Sequence, residues 1–455
     1  MRSILAIAGI AIRNAIRSRV VVCLFAILAL VIFGLPLVVK GDGTMEGQVR
    51  VMLNYTLGLA GMILSLTALW AGCAAISSEL AEKQIHLVVT KPVSRLQVWF
   101  GKWLGLMAII TVLLACCGGA TYGLLTWKMS SGTFTAEEQA RLRRDVLTAR
   151  HVVRPAPIDV EAQARQLLEK LRGRGAMPAG VSEARVLQTY RKDLTIKAST
   201  LAKGQSRRWD FTVPAGSAEK SGVVQYRVST SRMGTLPAVG AWQAGPPEGS
   251  PVFRQVVTNP PGSTMTITLP AGVADAAGRV AVDYVNTETG GVSVVFLPAD
   301  EPVLLIPADR FEWNFARVLI VVLARLAFIA AVGVTAGALF SMPVAGFLSL
   351  CFVLLLQLST YIASAAQEEI IVPWHTSRGH GPDISDALFR ALFRGIHAVI
   401  APLEDRDALG AMAAGHLVSW LWVGQVLLIQ VVVYGGALAL IGTAIFNRRE
   451  AGLTE

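Results

Sequence analysis

Charged residues flank a single proline in the stretch 77–103, SSELAEKQIHLVVTKPVSRLQVWFGKW. The residues there whose types and spacing could do chemistry are Glu79, Glu82, Lys83, His86, Lys91, Pro92 and Arg95. Such charged side chains can make ion pairs and charge-assisted hydrogen bonds with a protein surface. The stretch lacks a combination of nucleophile, base and metal ligands. We therefore predict that it is an interface for a partner protein and not an active site.

Two helices separated by a corner are predicted to carry these charges. Ala81, Ile85 and Val88 recur at helical spacing, and the charged residues fall on the opposite side. Pro92 cannot continue this helix. Ser94 followed by Gln97 has the Ser-x-x-Gln form of a capping box, which predicts the start of a second helix.

Motifs for catalysis or nucleotide binding are absent from the sequence. It contains no Gly-x-x-x-x-Gly-Lys-Ser/Thr loop, Gly-x-Ser-x-Gly elbow or His-Glu-x-x-His pair. We expect that the chain is not an enzyme and that it binds no cofactor or metal. His375 and His380 beside Asp383 could bind a metal, although solvated loop histidines are the favoured interpretation. All five cysteines lie in apolar segments, which predicts that no disulfides form.

The composition predicts a polytopic α-helical membrane protein. Of the 455 residues, 53% are hydrophobic and only 16% are charged, whereas soluble domains carry about 25% charged residues. The net charge of +10 is spread around apolar spans, which favours anionic membrane lipid over nucleic acid as the counterpart.

Six transmembrane helices are predicted from hydropathy. They cover about 20–39, 52–76, 104–127, 318–340, 343–365 and 417–446. Residues 1–18 are interpreted as a helix on the membrane surface, with a signal peptide as the alternative. The Lys and Arg residues of the N-terminal segment, of 77–103 and of the C-terminus predict that all three are cytoplasmic. The long insert after the third span would then be extracytoplasmic.

The insert has two predicted parts, which together form an α+β domain. Residues 128–208 show helical patterns, with Asp159 as an N-cap, and are basic enough to rest on anionic headgroups, although a solvated face is equally compatible. Residues 209–313 alternate with period two, which predicts a β-sandwich of jelly-roll type. Trp209 and Trp242 are interpreted as core residues and not as a sugar platform. The flanking domains are 1–127 and 314–455, and the latter includes an amphipathic loop over 367–415.

Polar residues inside predicted spans need compensation in the bilayer. Arg325 lies about seven residues into the fourth span, where an unpaired Arg costs about 2.5 to 3.5 kcal/mol. It either snorkels, pairs with Gln357, Gln425 or Gln430, or lines a translocation path. Small residues such as Gly333, Gly337 and Gly442 are predicted to permit close helix packing.

Three sequence features together resemble ABC-transporter permeases of the type-2 exporter class. The first is the run Glu79, Glu82, Lys83, Lys91, Pro92, Val93, Ser94, Arg95, Gly101 and Lys102 after the second span. The second is the turn 341–345, SMPVA, and the third is the end 446–450, FNRRE. Many members have Gly-Thr where this chain has Gln84 and Ile85. The large extracytoplasmic insert after the third span is interpreted as the mark of a subgroup.

The resemblance implies a permease subunit in the bacterial inner (cytoplasmic) membrane. Its partners would be a cytoplasmic ABC ATPase, which binds the ATP, and a second copy or homologue of the permease. The coupling interface would comprise Glu79, Glu82, Lys83, His86, Lys91, Pro92 and Arg95. A membrane-anchored binding or scaffold protein is the alternative from another class, and a membrane enzyme would lack a catalytic constellation.

Overall fold

Two units divide the chain in the computed structural model. The helical unit comprises Met1–Thr148 with Arg310–Glu455, and the β-rich unit comprises Ala149–Asp309. The structure describes the chain except residues 1, 18, 39–44, 82–93, 131–142, 144–146, 157–159, 176–182, 215, 218, 231–236, 289–291, 298–299, 359–360, 363–383, 404–406 and 449–455. The boundaries between the two units lie at 148/149 and 309/310, whereas the sequence predicted domain boundaries at 127/128 and 313/314.

The α-helices are numbered along the whole chain, and α5 and α6 belong to the β-rich unit. They are α1 Arg2–Arg17, α2 Arg19–Val38, α3 Met45–Ala81, α4 Arg95–Ser130, α5 Val160–Gly173, α6 Glu183–Ser199, α7 Phe311–Leu339, α8 Met342–Gln357, α9 Ile384–Ile400, α10 Ala408–Ala413, α11 Trp420–Val426 and α12 Gly436–Arg448. A π-helical segment, Leu427–Gly435, joins α11 to α12.

Four helices of the described chain are long and apolar enough to cross a membrane. They are Val49–Ser78, Arg95–Ser130, Phe311–Leu339 and Trp420–Ile445, and they coincide with the second, third, fourth and sixth predicted spans. Arg2–Arg17 and Val21–Gly34 would make a fifth if this pair, bent by 69°, is a single span. Met342–Leu356 is a shorter apolar helix, and part of the predicted fifth span, 343–365, lies outside the described residues. Six spans remain a prediction.

Glycines allow α3 and α7 to approach closely. A Cβ atom added at Gly72 would lie 3.1 Å from the Cα of Gly333. A Cβ atom added at Gly333 would lie 2.7 Å from the carbonyl oxygen of Leu69. Backbone therefore meets backbone at this crossing, as the small residues predicted. The buried residues Leu69, Ala330 and Val332 lie in the apolar core beside it.

The β-rich unit is built from β-strands. They are β1 Thr148–Val153, β2 Thr200–Leu201, β3 Ser206–Thr212, β4 Gly222–Arg227, β5 Ser229–Thr230, β6 Ala238–Gly245, β7 Phe253–Asn259, β8 Thr264–Leu269, β9 Arg279–Asn286, β10 Val294–Val295 and β11 Val303–Arg310. The strand orders are β1-β11-β4-β8, β2-β10-β5 and β3-β9-β6-β7. The register pairs Trp209 with Val282 and Trp242 with Tyr284.

The period-two pattern correctly identified the core of this unit. Trp209, Phe211, Val224, Tyr226, Ile267, Leu269, Val280, Val282, Tyr284, Val294 and Phe296 are all buried in one cluster. Trp242 is 0% exposed and Trp209 is 3% exposed, so both are core residues as interpreted. Burial raises the pKa of Tyr226 to about 12, so its hydroxyl stays protonated and donates to Asn259 Oδ1 at 2.7 Å. The jelly-roll topology remains a prediction.

The segment 128–208 is less helical than its pattern predicted. Helices α5 and α6 are present, and Glu161 bonds to Arg165 and Arg191 at their surface. Strand β1 nevertheless lies in this segment and is adjacent to β11. Its pairing partner lies about 150 residues further along the chain, so local periodicity carries no signal for it. The predicted N-cap Asp159 lies outside the described residues.

Candidate functional site

The charged stretch 77–103 begins within α3, the helix that contains the second predicted span. Helix α3 continues from the second span without a break to Ala81. Residues 77–81 therefore extend the spanning helix, whereas the sequence pattern predicted a separate short helix starting there. Glu79 lies on the last turns of α3. The remaining predicted interface residues before the second helix, Glu82, Lys83, His86, Lys91 and Pro92, lie outside the described residues.

The second helix starts where the capping box predicted. Ser94 Oγ accepts from the backbone N–H of Gln97 at 3.3 Å, and Gln97 Oε1 accepts from the N–H of Ser94 at 3.3 Å. These reciprocal bonds satisfy two helix-terminal donors. Arg95 is the first residue of α4 and is half-buried.

Lys102 ties the end of α3 to the start of α4. Its side chain is 4% exposed, and its Nζ donates to the carbonyl oxygen of Ala75. A buried ammonium is unfavourable unless hydrogen bonds and opposite charge compensate it. The two helices on either side of residues 82–93 are therefore joined about two turns inside their ends.

Two tryptophans extend this connection to the other helices. Trp99 Nε1 donates to Thr335 Oγ1 on α7 at 3.2 Å, and Thr335 Oγ1 donates to the carbonyl of Leu438 on α12 at 3.1 Å. Trp103 Nε1 donates to the carbonyl of Ala327 at 3.0 Å. The rings of Trp99 and Trp103 stack at 6.3 Å. The start of α4 is therefore connected by hydrogen bonds to α7, and through Thr335 to α12.

Helix α1 packs closely against two glycines near the start of α4. A Cβ atom at Gly101 would lie 2.9 Å from Cβ of Ile7, and one at Gly105 would lie 2.6 Å from the carbonyl oxygen of Ala8. Helix α1 thus packs directly against the same segment of α4. The Gly101-Lys102 pair combines a close backbone approach with a buried charge.

Arg325 lines a cavity of about 420 Å³. Gly61, Ser65, Leu354 and Asp407 also contribute to its wall. Gln430 is buried in the π-helical segment, and its Oε1 accepts no hydrogen bond from the described part of the chain. Pairing of Arg325 with Gln430 Oε1 is therefore not observed. The structure does not describe the side chain of Gln357, so its pairing with Arg325 stays a prediction.

The first turns of α7 carry a polar cluster that was not predicted from the sequence. Asn314 Nδ2 donates to the carbonyl of His416 at 2.9 Å, and its Oδ1 accepts from the N–H of Val418 at 2.8 Å. Arg317 donates to the carbonyl of Val418 at 3.3 Å and lies over the ring of Trp420 at 5.0 Å. The available signal in the sequence was two polar residues, Asn314 and Arg317, at the edge of an apolar run.

Metal ligands are not grouped in the described part of the chain. No group of three or more His, Cys, Asp or Glu residues there could hold an ion. His375, His380 and Asp383 lie outside it. All five cysteines are free, as predicted, and Cys73 Sγ lies 3.7 Å from Ser349 Oγ.

Comparison with known proteins gives one family. Residues 5–138 match the model of the ABC-2 family transporter protein. These residues include most of α1, all of α2 to α4 and the whole charged stretch 77–103. Curated proteins yield no match. The apolar helices support a multi-pass membrane protein. The match relates its first part to ABC-2 family transporter proteins and does not include the β-rich unit.

Proposed function

We propose that this chain is the membrane-spanning permease subunit of an ABC transporter, with export as its direction. It would lie in the bacterial inner membrane, pair with a second copy or homologue, and receive mechanical work from a separate ATPase that binds the ATP. The stretch 77–103 would be the cytoplasmic docking element, and the β-rich unit would be extracytoplasmic. Neither a cofactor nor nucleic acid is required on this chain.

The contacts at the ends of α3 and α4 carry this proposal. Lys102 joins the two helix ends to each other, and Trp99 and Trp103 join α4 to α7. Closure of the ATPase subunits would push on residues 82–93, and the connected helices would shift as units. A protein that used its helices only as a membrane anchor would not need these hydrogen bonds between helices.

Charge reversal at the docking element tests the proposal. We expect the intact wild-type chain to co-purify with an ABC ATPase in detergent. We expect the Glu79→Lys and Glu82→Lys double variant to lose that ATPase, because the reversed charges repel a complementary surface. The measurement is the ATPase-to-permease ratio after affinity purification.

A matched double reversal on the β-rich unit, Glu169→Lys with Glu219→Lys, serves as the control. Both positions are exposed, and we expect this variant to retain the ATPase. Wild-type amounts of ATPase bound to the Glu79 and Glu82 variant would refute the assigned interface. A wild-type chain that binds no ATPase would refute the function.

Loss of the Trp99 hydrogen bond should weaken the proposed coupling between the ATPase and α7, while the ATPase still binds the permease. Trp99→Phe keeps most of the buried ring but removes the Nε1 donor to Thr335, at a stability cost of about 1 kcal/mol. We expect ATP hydrolysis by the reconstituted complex to fall while the ATPase still co-purifies. Trp127→Phe is the control, because Trp127 lies at the other end of α4 and is 67% exposed. Equal hydrolysis in both variants would contradict transmission through Trp99.

The independent core of the β-rich unit favours one alternative. A membrane-anchored binding or scaffold protein would use this unit as its working part and the helices as an anchor. That alternative predicts that the wild-type chain co-purifies with no ABC ATPase. The purification of the wild-type chain described above therefore distinguishes it from a permease.

A further inference from the structure

The chain between α9 and the last span runs back along α7. Leu403, which follows α9, is 5% exposed and belongs to the apolar cluster that contains Phe328. Two residues of α10 are buried in the cluster that contains Val318. Residues 416–418 bond to Asn314 on the first turn of α7. The described residues between Leu403 and α11 therefore return from the middle of α7 to its beginning.

The C-terminal end of α9 lies at the level of the middle of α7. The carbonyl oxygen of Val399 accepts a hydrogen bond from the hydroxyl of Tyr434 at 3.0 Å. The ring centroid of Tyr434 lies 6.3 Å from that of Phe328. Phe328 is about 25 Å along α7 from its first residue, at about 1.5 Å per residue. A bilayer core is about 30 Å thick, so this level lies within the hydrocarbon when α7 spans the membrane.

Helix α9 carries an apolar strip of Leu388, Leu392 and Val399, which share one face at about 100° per residue. Their exposed fractions are 69%, 53% and 55%. Val432 of the last span lies just before Tyr434, at the level that Val399 reaches, and is 62% exposed. Exposed side chains of a spanning helix at this depth contact acyl chains, because no water is present there. The apolar strip, which reaches the same depth, is expected to have the same surroundings.

The length of α9 indicates the side from which it enters the membrane. Helix α9 has 17 residues and is therefore about 25 Å long. Along α7, Phe328 lies about 25 Å from the first residue but only about 17 Å from the last. A helix that reaches the level of Phe328 from the beginning of α7 therefore fits inside the bilayer, whereas one from the other end would project beyond it.

Two arginines of α9 agree with this direction. Arg390 and Arg394 lie outside the apolar strip, and Arg394 is exposed. Helical Cα–Cβ bonds tilt toward the N-terminus, so both side chains extend toward the N-terminal end of α9. Long basic side chains inside a membrane extend to the headgroups in this way. The N-terminal end of α9 therefore belongs at the headgroups and its C-terminal end in the hydrocarbon.

We propose that α9 and α10 form a re-entrant hairpin, which enters and leaves the bilayer at the end where α7 begins. Acyl chains of membrane lipids cover its apolar strip. The sequence predicted an amphipathic loop over 367–415 outside the membrane, whereas the hairpin places α9 and α10 within it. The hairpin requires a bilayer but no ATPase, so its test is independent of the proposed coupling.

Depth measurements on the full-length chain test this proposal. Leu388→Cys, Leu392→Cys and Val399→Cys are made in a variant whose five native cysteines are replaced by alanine. Each is spin-labelled and reconstituted into bilayers of phosphatidylcholine with phosphatidylglycerol. EPR power saturation compares collisions of the label with oxygen, which concentrates in hydrocarbon, and with nickel-EDDA, which stays in water. We expect the oxygen-to-nickel ratio to rise from position 388 through 392 to 399.

Two reference positions of similar exposure define lipid and water. Val432→Cys on the last span is the lipid reference, and Val256→Cys on β7 is the water reference; the two residues are 62% and 61% exposed. Val399→Cys should match Val432→Cys. A ratio equal to that of Val256→Cys, or equal ratios at all three positions of α9, would overturn the proposal. Low collision rates with both reagents would show that a second copy covers the strip and would overturn it as well.

A distance measurement tests the side of entry. Trp313 lies at the beginning of α7 and Phe340 follows its end. Labels at Leu388→Cys and Trp313→Cys should be closer together than labels at Leu388→Cys and Phe340→Cys. The reverse order in double electron–electron resonance would contradict re-entry.

Photo-crosslinking of the wild-type chain gives a decision without any substitution. The chain is reconstituted with phosphatidylcholine that carries a diazirine near the end of one acyl chain, irradiated and digested. We expect lipid adducts on peptides from 388–399 and from the last span. Adducts on the last span alone would refute the hairpin.

Discussion

Gly333→Leu is expected to remove most of the folded protein from detergent extracts. The added Cβ alone would lie 2.7 Å from the Leu69 carbonyl oxygen and 3.2 Å from the Cys73 nitrogen. Both atoms belong to the backbone of α3, so no side-chain rotation can relieve the overlap. The helices would have to separate, which exposes the core that they share and exceeds the usual cost of overpacking, about 1 to 3 kcal/mol.

Fluorescence-detected size-exclusion chromatography of detergent extracts measures this effect. Gly346→Leu on α8 is the matched control, because a Cβ atom at Gly346 would meet no atom within 4 Å. We expect the control to give a monodisperse peak of wild-type height and Gly333→Leu to give aggregate or no peak. A normal peak for Gly333→Leu would show that α3 and α7 do not pack as closely as described.

Trp242→Ala is expected to destabilise the β-rich unit by about 3 to 5 kcal/mol. Trp242 is 0% exposed, and four aromatic rings surround it. Their centroids lie at 4.5 Å for Tyr226, 4.9 Å for Tyr284, 5.9 Å for Trp209 and 6.0 Å for Phe296. Truncation removes the ring at the centre of this cluster, and the strands that carry its neighbours cannot collapse to fill the cavity.

Limited proteolysis of the intact protein measures this destabilisation, because cleavage within 149–309 reports opening of the β-rich unit. We expect rapid cleavage of Trp242→Ala under conditions in which the wild type resists. Val256→Ala is the control, because Val256 lies on β7 and is 61% exposed; it should change stability by less than about 0.5 kcal/mol. Equal cleavage rates for both variants would contradict the central role of Trp242.

A folded α3–α7 crossing is also a condition for the proposed coupling. The contacts of Trp99 and Trp103 reach α7 at Thr335 and Ala327, on either side of Gly333. If α7 separates from α3, a push on the docking element can no longer move these helices together. Gly333→Leu therefore tests the fold, whereas Trp99→Phe tests transmission within an intact fold.

Local sequence patterns alone predicted the apolar spans, the core positions of the β-rich unit and one helix start. Hydropathy located the apolar segments of α3, α4, α7 and the last span, because burial in a bilayer demands about 20 apolar residues in succession. Period-two alternation identified the core positions of the β-rich unit, since alternate side chains of a strand face the same side. The Ser94–Gln97 capping box also depends only on neighbours three residues apart. These features are local, so the sequence displays them directly.

Only the tertiary structure decided which distant residues meet. The pairing of β1 with β11, the burial of Lys102 against Ala75 and the chain from Trp99 through Thr335 to Leu438 all join segments that are far apart in the sequence. Periodicity shows that a residue faces inward, but it cannot name the group that it faces. For the same reason the sequence did not single out Arg317, which precedes the predicted span 318–340 and is buried against Val418 and Trp420. The type of protein follows from local composition, whereas the contacts between distant segments follow from through-space packing.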